Sequence, residues 1–176
     1  MRNGGPLPVI SVISGALALL LAGYAQAQNV TIELTGQVPI SCRLEAPATQ
    51  INLGNITAAG NVTIPFRVRC NAPFLFALAS RSGALTTDEA GSLRPDFTDS
   101  VPYDATVRIP TNVGVIAGNC SSSALRAMWL GCLYPDSRQG VALEGEASLI
   151  VSWDLAKQPI AGIYSDVVTL AVGPRN

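Results

Sequence analysis

The chain has 176 residues, with 12 acidic side chains, 11 basic ones and no histidine. That length fits one domain with enough core to fold as a unit, and a near-neutral balance without a basic stripe argues against nucleic acid or an anionic membrane as partner. The missing histidine removes the usual acid–base group at neutral pH and a common ligand of structural zinc.

The amino-terminal residues read as an export signal. Arg2 supplies a short positive region, Val9 to Leu21 is apolar apart from Ser and Gly, and Ala25-x-Ala27 is a small-x-small cleavage pattern. The apolar run falls short of the roughly 20 residues that a bilayer span needs. Residues 1–27 are therefore predicted to be a signal peptide, with a mature chain that starts at Gln28 and carries a net charge of about −2. Its four cysteines, Cys42, Cys70, Cys120 and Cys132, all lie beyond that cut. An even number in an oxidising compartment reads as two disulfides, and four cysteines allow three pairings. Cys42–Cys70 with Cys120–Cys132 is favoured because each pair brackets one contiguous block, and such loops stabilise a fold by roughly 3 kcal/mol each. Without histidine or a close C-x-x-C pair, no metal site is expected.

From Gln28 onward the dominant period is two, which marks half-buried strands because side chains alternate across a strand. Val30, Ile32 and Leu34 alternate with Thr31, Glu33 and Thr35, and Gly36 and Val38 continue the apolar side. Ile64, Phe66, Val68 and Cys70 form a second face, and Phe74, Phe76 and Leu78 a third. Val101, Tyr103, Ala105, Val107 and Ile109 form a fourth. Ala147, Leu149, Val151, Trp153 and Leu155 form a fifth, and Tyr164, Val168, Leu170 and Val172 the last, within a strand predicted over 161–172. Turn signals stand at Gly54-Asn55, Ala59-Gly60-Asn61, Ser82-Gly83, Gly118-Asn119, Pro135-Asp136 and Ala161-Gly162. Pro39, Pro65, Pro102 and Pro110 require strand ends, edges or bulges. Residues 84–100 read as a long polar loop. After three serines, Ala124, Leu125, Met128, Trp129 and Cys132 share a helical face, which predicts one short helix near 121–133. Many short strands broken by Gly, Pro and Asn predict an all-β sandwich.

No catalytic constellation emerges. The carboxylate pairs Asp88-Glu89, Asp96 with Asp99 and Glu144 with Glu146 read as solvated loop charge. No glycine-rich phosphate loop opens a helix, and the acids between Asp88 and Asp104 lack the spacing of an EF-hand loop. The sequons at Asn29, Asn55, Asn61 and Asn119 read as chance in an Asn- and Thr-rich β protein. Neither an enzyme nor a cofactor is expected. The informative features are the two ends: a patterned strand at the start of the mature chain must pair with something, in its own domain or by strand addition to a neighbour. A sandwich that ends shortly after residue 172 is open to being one strand short.

Three segments carry a resemblance to a known family: Val38-Pro39-Ile40-Ser41-Cys42, Pro65-Phe66-Arg67-Val68-Arg69-Cys70-Asn71-Ala72-Pro73, and Ala161-Gly162-Ile163-Tyr164-Ser165-Asp166-Val167-Val168-Thr169-Leu170. Over about 28–83 and 146–173 the chain resembles the spore coat protein U family, whose members are similar to subunits of archaic chaperone–usher pili; residues 84–145 depart from the pattern. The resemblance implies an incomplete immunoglobulin-like sandwich of residues 42–176 behind a donor-type strand at 28–41. It implies a periplasmic chaperone that lends the missing strand and an outer-membrane usher that exchanges it for the first strand of a neighbouring copy or homologous subunit. The location implied is the periplasm in transit, then a surface or extracellular fibre. Val30, Ile32, Leu34 and Val38 would fill a neighbour's groove, with Gly36 at a crowded point. Tyr164, Val168, Leu170 and Val172 would line the receiving edge, and Cys42–Cys70 would match the family's disulfide. The alternative expectation is a secreted adhesin or binding module of the same fold, with Trp129 as its only tempting contact.

Overall fold

A computed structural model describes residues 31–46, 48–89, 95–126, 132, 137–142 and 145–175. The signal segment, Val30, Met128, Trp129, Glu144 and the Pro135-Asp136 turn lie outside the described residues. The chain divides into two units, Met1–Gln37 and Val38–Asn176. Of the first, residues 31–37 are exposed and form neither helix nor strand. In its described part, 31–41, the donor-type strand expected over 28–41 belongs to no strand of its own chain. Alternation alone does not make a strand: the backbone needs a ladder partner, and among the described residues of this segment only Ser41 makes a backbone bond, to Asn71.

Among the described residues, the second unit is all-β apart from one turn of helix. Its larger sheet has five antiparallel strands in the order β1-β2-β9-β7-β8, formed by β1 (Cys42–Glu45), β2 (Gly60–Cys70), β7 (Tyr103–Thr111), β8 (Gly114–Ser121) and β9 (Glu146–Trp153). A second sheet has two strands, β3 (Phe74–Ser80) and β11 (Val168–Pro174), paired antiparallel from Val168↔Ser80 to Pro174↔Phe74. Two minor pairs complete the set: β4 (Leu85–Thr86) with β6 (Ser100–Val101), and β5 (Phe97–Thr98) with β10 (Gln158–Pro159). The core lies between the two principal sheets. Phe66, Val68 and Cys70 of β2, Tyr103, Ala105, Val107 and Ile109 of β7, and Ala147, Leu149, Val151 and Trp153 of β9 are buried with Phe74, Phe76 and Leu78 of β3. Phe66 stacks on Phe76 across the layers at 5.7 Å between ring centroids. These are the faces the period-two pattern predicts, and the layering fits an immunoglobulin-like sandwich.

Two disulfides join Cys42 to Cys70 and Cys120 to Cys132. The prolines occupy permitted places. Pro65 lies in β2 beyond the end of β1, whose register stops at Glu45↔Arg67, so its missing N–H costs no ladder bond there. Pro110 lies past Arg108, the last β7 residue paired with β9.

The structure corrects three expectations and bears out a fourth. Gly118-Asn119 is not a turn but the middle of β8. Gly118 sits opposite Val107, and Asn119 donates across the ladder to Thr106 Oγ1 at 2.7 Å. The reversal comes earlier, where Thr111 Oγ1 donates to the Gly114 carbonyl at 2.6 Å and Gly114 takes φ 133°. The long polar loop at 84–100 contains β4 and β5 and the start of β6. The short helix expected near 121–133 is present as α1 (Ser122–Arg126), begun by Ser121 Oγ accepting from the Ala124 N–H, with residues 127–131 outside the described residues. Finally, the last strand starts at Val168 rather than Ala161. Side-chain bonds of Tyr164 and Asp166 hold 160–167 in another path, with backbone bonds from Ile160 to Thr98, across the isolated bridge Thr86↔Ser165 and from Arg81 to Val167.

Candidate functional site

An open groove of about 1420 Å³ runs beside β11. Its floor is the inner face of the larger sheet, with Ile64 and Phe66 from β2, Leu149 and Val151 from β9, and Tyr103 from β7. Val168, Thr169 and Leu170 of β11 form one wall, and Leu44 with residues 48–57 forms the other. The origin of this opening is the strand count of the smaller sheet. β11 pairs with β3 along one edge, and among the described residues nothing pairs along its other edge. The facing wall cannot supply a ladder either. Beyond Glu45 the chain leaves β2 and makes two Asx turns: Asn52 Oδ1 accepts from Gly54 N at 2.8 Å, and Asn55 Oδ1 accepts from Thr57 N at 3.0 Å. Gly54 takes φ 72°, which its lack of a Cβ permits, and Leu53 and Ile56 pack against the core.

One end of the groove is built by two polar groups. The Tyr164 hydroxyl shares its one proton between the Thr98 carbonyl at 3.0 Å and the Ile160 carbonyl at 3.1 Å. Burial pushes this phenol above its ordinary value of 10.0, with the charge of Asp99 adding to the rise. The Asp166 carboxylate accepts from Ser80 Oγ, from Tyr103 Oη at 2.7 Å, and from the N–H groups of Ser82 at 3.0 Å and Val167 at 2.7 Å. It thereby ties the end of β3, the start of β7 and the approach to β11 together. A Cβ at Gly162 would collide with the Thr87 side chain, so this turn lies tight against the 85–87 segment.

Of the residues predicted for a receiving edge, Tyr164, Val168 and Leu170 line the groove. Val172 packs against the core but lies outside the lining. Of those predicted for a donor strand, Ile32, Leu34 and Val38 are 75 %, 91 % and 81 % exposed, and a Cβ at Gly36 would meet nothing within 4 Å. Sequence reasoning missed the 48–57 wall, the floor residues as part of a site, and the Asp166 node. The Asn52-x-Gly54 spacing and a lone acid inside an apolar segment were the available signals.

Among the described residues no group of three or more His, Cys, Asp or Glu stands close enough to hold a metal ion. No buried side-chain nitrogen or oxygen there lacks a hydrogen-bond partner. No protein-family model and no curated protein matches the chain.

Proposed function

We propose that the chain is a structural subunit of a bacterial surface fibre (a pilus, fimbria or coat) assembled by donor-strand complementation. A periplasmic chaperone would cover the groove in transit, and an outer-membrane usher would replace it with the N-terminal strand of another subunit. The observation that carries this reading is the apolar groove beside the free edge of β11, in a chain that also carries an exposed alternating segment.

The dimensions agree. Residues 32–38 number seven, as does β11, and each seven-residue strand extends about 23 Å at roughly 3.3 Å per residue. An added strand satisfies the unpaired backbone, and side chains at every second position point into the groove and set the register. Burying Ile32, Leu34 and Val38 contributes roughly 5–9 kcal/mol before ordering costs, at about 1.5–3 kcal/mol each. Left uncovered, such an edge and apolar lining promote aggregation, which is the physical reason for a chaperone.

The test is export of the full chain with its candidate chaperone, followed by a denaturing gel of unboiled protein beside a version lacking residues 28–40. Stable multimers that vanish with the deletion support the proposal. Monomers in both lanes, or multimers that survive the deletion, refute it.

A further inference from the structure

A strand-donating subunit must keep its own N-terminal segment out of its own groove, and Asn71 is placed to do this. Its side-chain Oδ1 accepts from the Ser41 N–H at 2.8 Å, and its Nδ2 donates to the Pro39 carbonyl at 2.9 Å. Its backbone N–H donates to the Ser41 carbonyl at 3.1 Å. The orientation of the amide is forced, because flipping it would set donor against donor at Ser41 and acceptor against acceptor at Pro39. One side chain therefore grips two backbone groups, those of Pro39 and Ser41, immediately before the first cysteine.

The direction of that backbone follows from the register. β1 runs antiparallel to β2 with Cys42 opposite Cys70, and the Ser41–Asn71 bond extends the pairing one step past the end of β2. Leu44, further along β1, lines the groove, whereas Pro39, Ser41 and Cys42 do not. Residues 39–41 thus continue the line of β1 away from the groove. For the preceding segment to enter the groove of the same chain, the backbone would have to reverse between 38 and 42. Pro39 has its φ fixed near −65°, and the grip of Asn71 holds the Pro39 carbonyl and the Ser41 N–H in the outgoing path. The Cys42–Cys70 disulfide anchors the far side of the same corner.

We propose that Asn71 is a positioning residue that selects donation to a second copy over closure on the same chain. This rests on the donor-strand reading. Breaking the grip frees the reversal, so the ratio of self-closed monomer to multimer rises by about tenfold, the scale expected for losing two ordinary hydrogen bonds.

The experiment compares the full exported chain with its Asn71→Ala and Asn71→Asp variants. Aspartate keeps the acceptor for Ser41 N–H but turns a carboxylate towards the Pro39 carbonyl. Multimer and monomer are quantified on unboiled gels, and the purified monomer is challenged with a synthetic peptide of residues 28–40, which an open groove takes up and a self-closed one refuses. The melting temperature of peptide-complemented protein serves as a second readout. Expected are about tenfold more monomer that refuses the peptide and a melting temperature lowered by no more than the few degrees that two lost hydrogen bonds cost. Wild-type multimers with both variants at the wild-type ratio overturn the role of Asn71 and leave the donor-strand reading intact. A lowered melting temperature at an unchanged ratio makes Asn71 merely structural and overturns it too. A wild-type chain that neither forms multimers nor takes up the peptide overturns both. If one variant fails to fold, the other decides.

Discussion

Replacing Leu34 by alanine separates a fibre contact from an ordinary core contact. Leu34 is 91 % exposed in the free chain, so its truncation removes almost no burial from its own domain. The expected change in domain stability is within about 0.5 kcal/mol, as for other surface positions. In a neighbour's groove the same side chain would meet lining residues such as Ile64 and Leu170, which are only half-buried in the free chain. There its truncation costs about 2–3 kcal/mol, the low end for leucine to alanine in a core, because an open groove relaxes more readily than a closed interior. At 1.4 kcal/mol per decade, multimers should dissociate about 30- to 140-fold faster. The assay follows purified Leu34→Ala multimers in denaturant by unboiled gel over time, beside melting of the variant domain complemented with wild-type peptide. An unchanged dissociation rate would refute the reasoning. So would a melting temperature lowered by several degrees, since that would place Leu34 in the core of its own domain.

Two further predictions concern the groove and its supports. Tyr164 has a folded-state pKa above 10.0, so its contribution is fully present below the unfolded value and is lost as pH rises through the folded one. Urea midpoints should therefore fall above about pH 10, and Tyr164→Phe should flatten that decline while lowering stability at neutral pH by about 1 kcal/mol through the loss of its shared carbonyl bond. An identical alkaline decline in the variant would contradict this. Gly60→Ala would put a Cβ 2.6 Å from Cζ2 of Trp153, whose Nε1 donates to the Ala58 carbonyl at 2.8 Å. The indole must shift, which should cost about 1–3 kcal/mol in urea unfolding and change the tryptophan fluorescence; wild-type values in both measurements would argue against close packing there.

The strand faces of the core were legible in the sequence. Burial of β2, β7 and β9 alternates because one face of a strand meets the core and the other meets water, and that constraint is written locally in every second residue. Where a short polar side chain or glycine had to choose between a turn and a strand, local signals failed. Gly118-Asn119 reads as a turn, yet β7 offers Val107 opposite the glycine and the Thr106 hydroxyl for the asparagine, and the cross-strand partners decide. Likewise the pattern from Tyr164 to Val172 is continuous in sequence, but the strand begins only at Val168 because Thr98, Ser80, Ser82 and Tyr103, distant in the chain, claim the polar groups of Tyr164 and Asp166.

The sequence by itself determined an all-β domain, its core faces and an apolar alternation ahead of the first cysteine. Only the tertiary structure decided that a groove opens beside β11, that residues 48–57 wall it, and that Asn71 grips the backbone leading to Cys42. The physical reason is that alternation reports which face of a strand is apolar, whereas a free edge is the absence of a neighbour, set by how segments far apart in the chain come together.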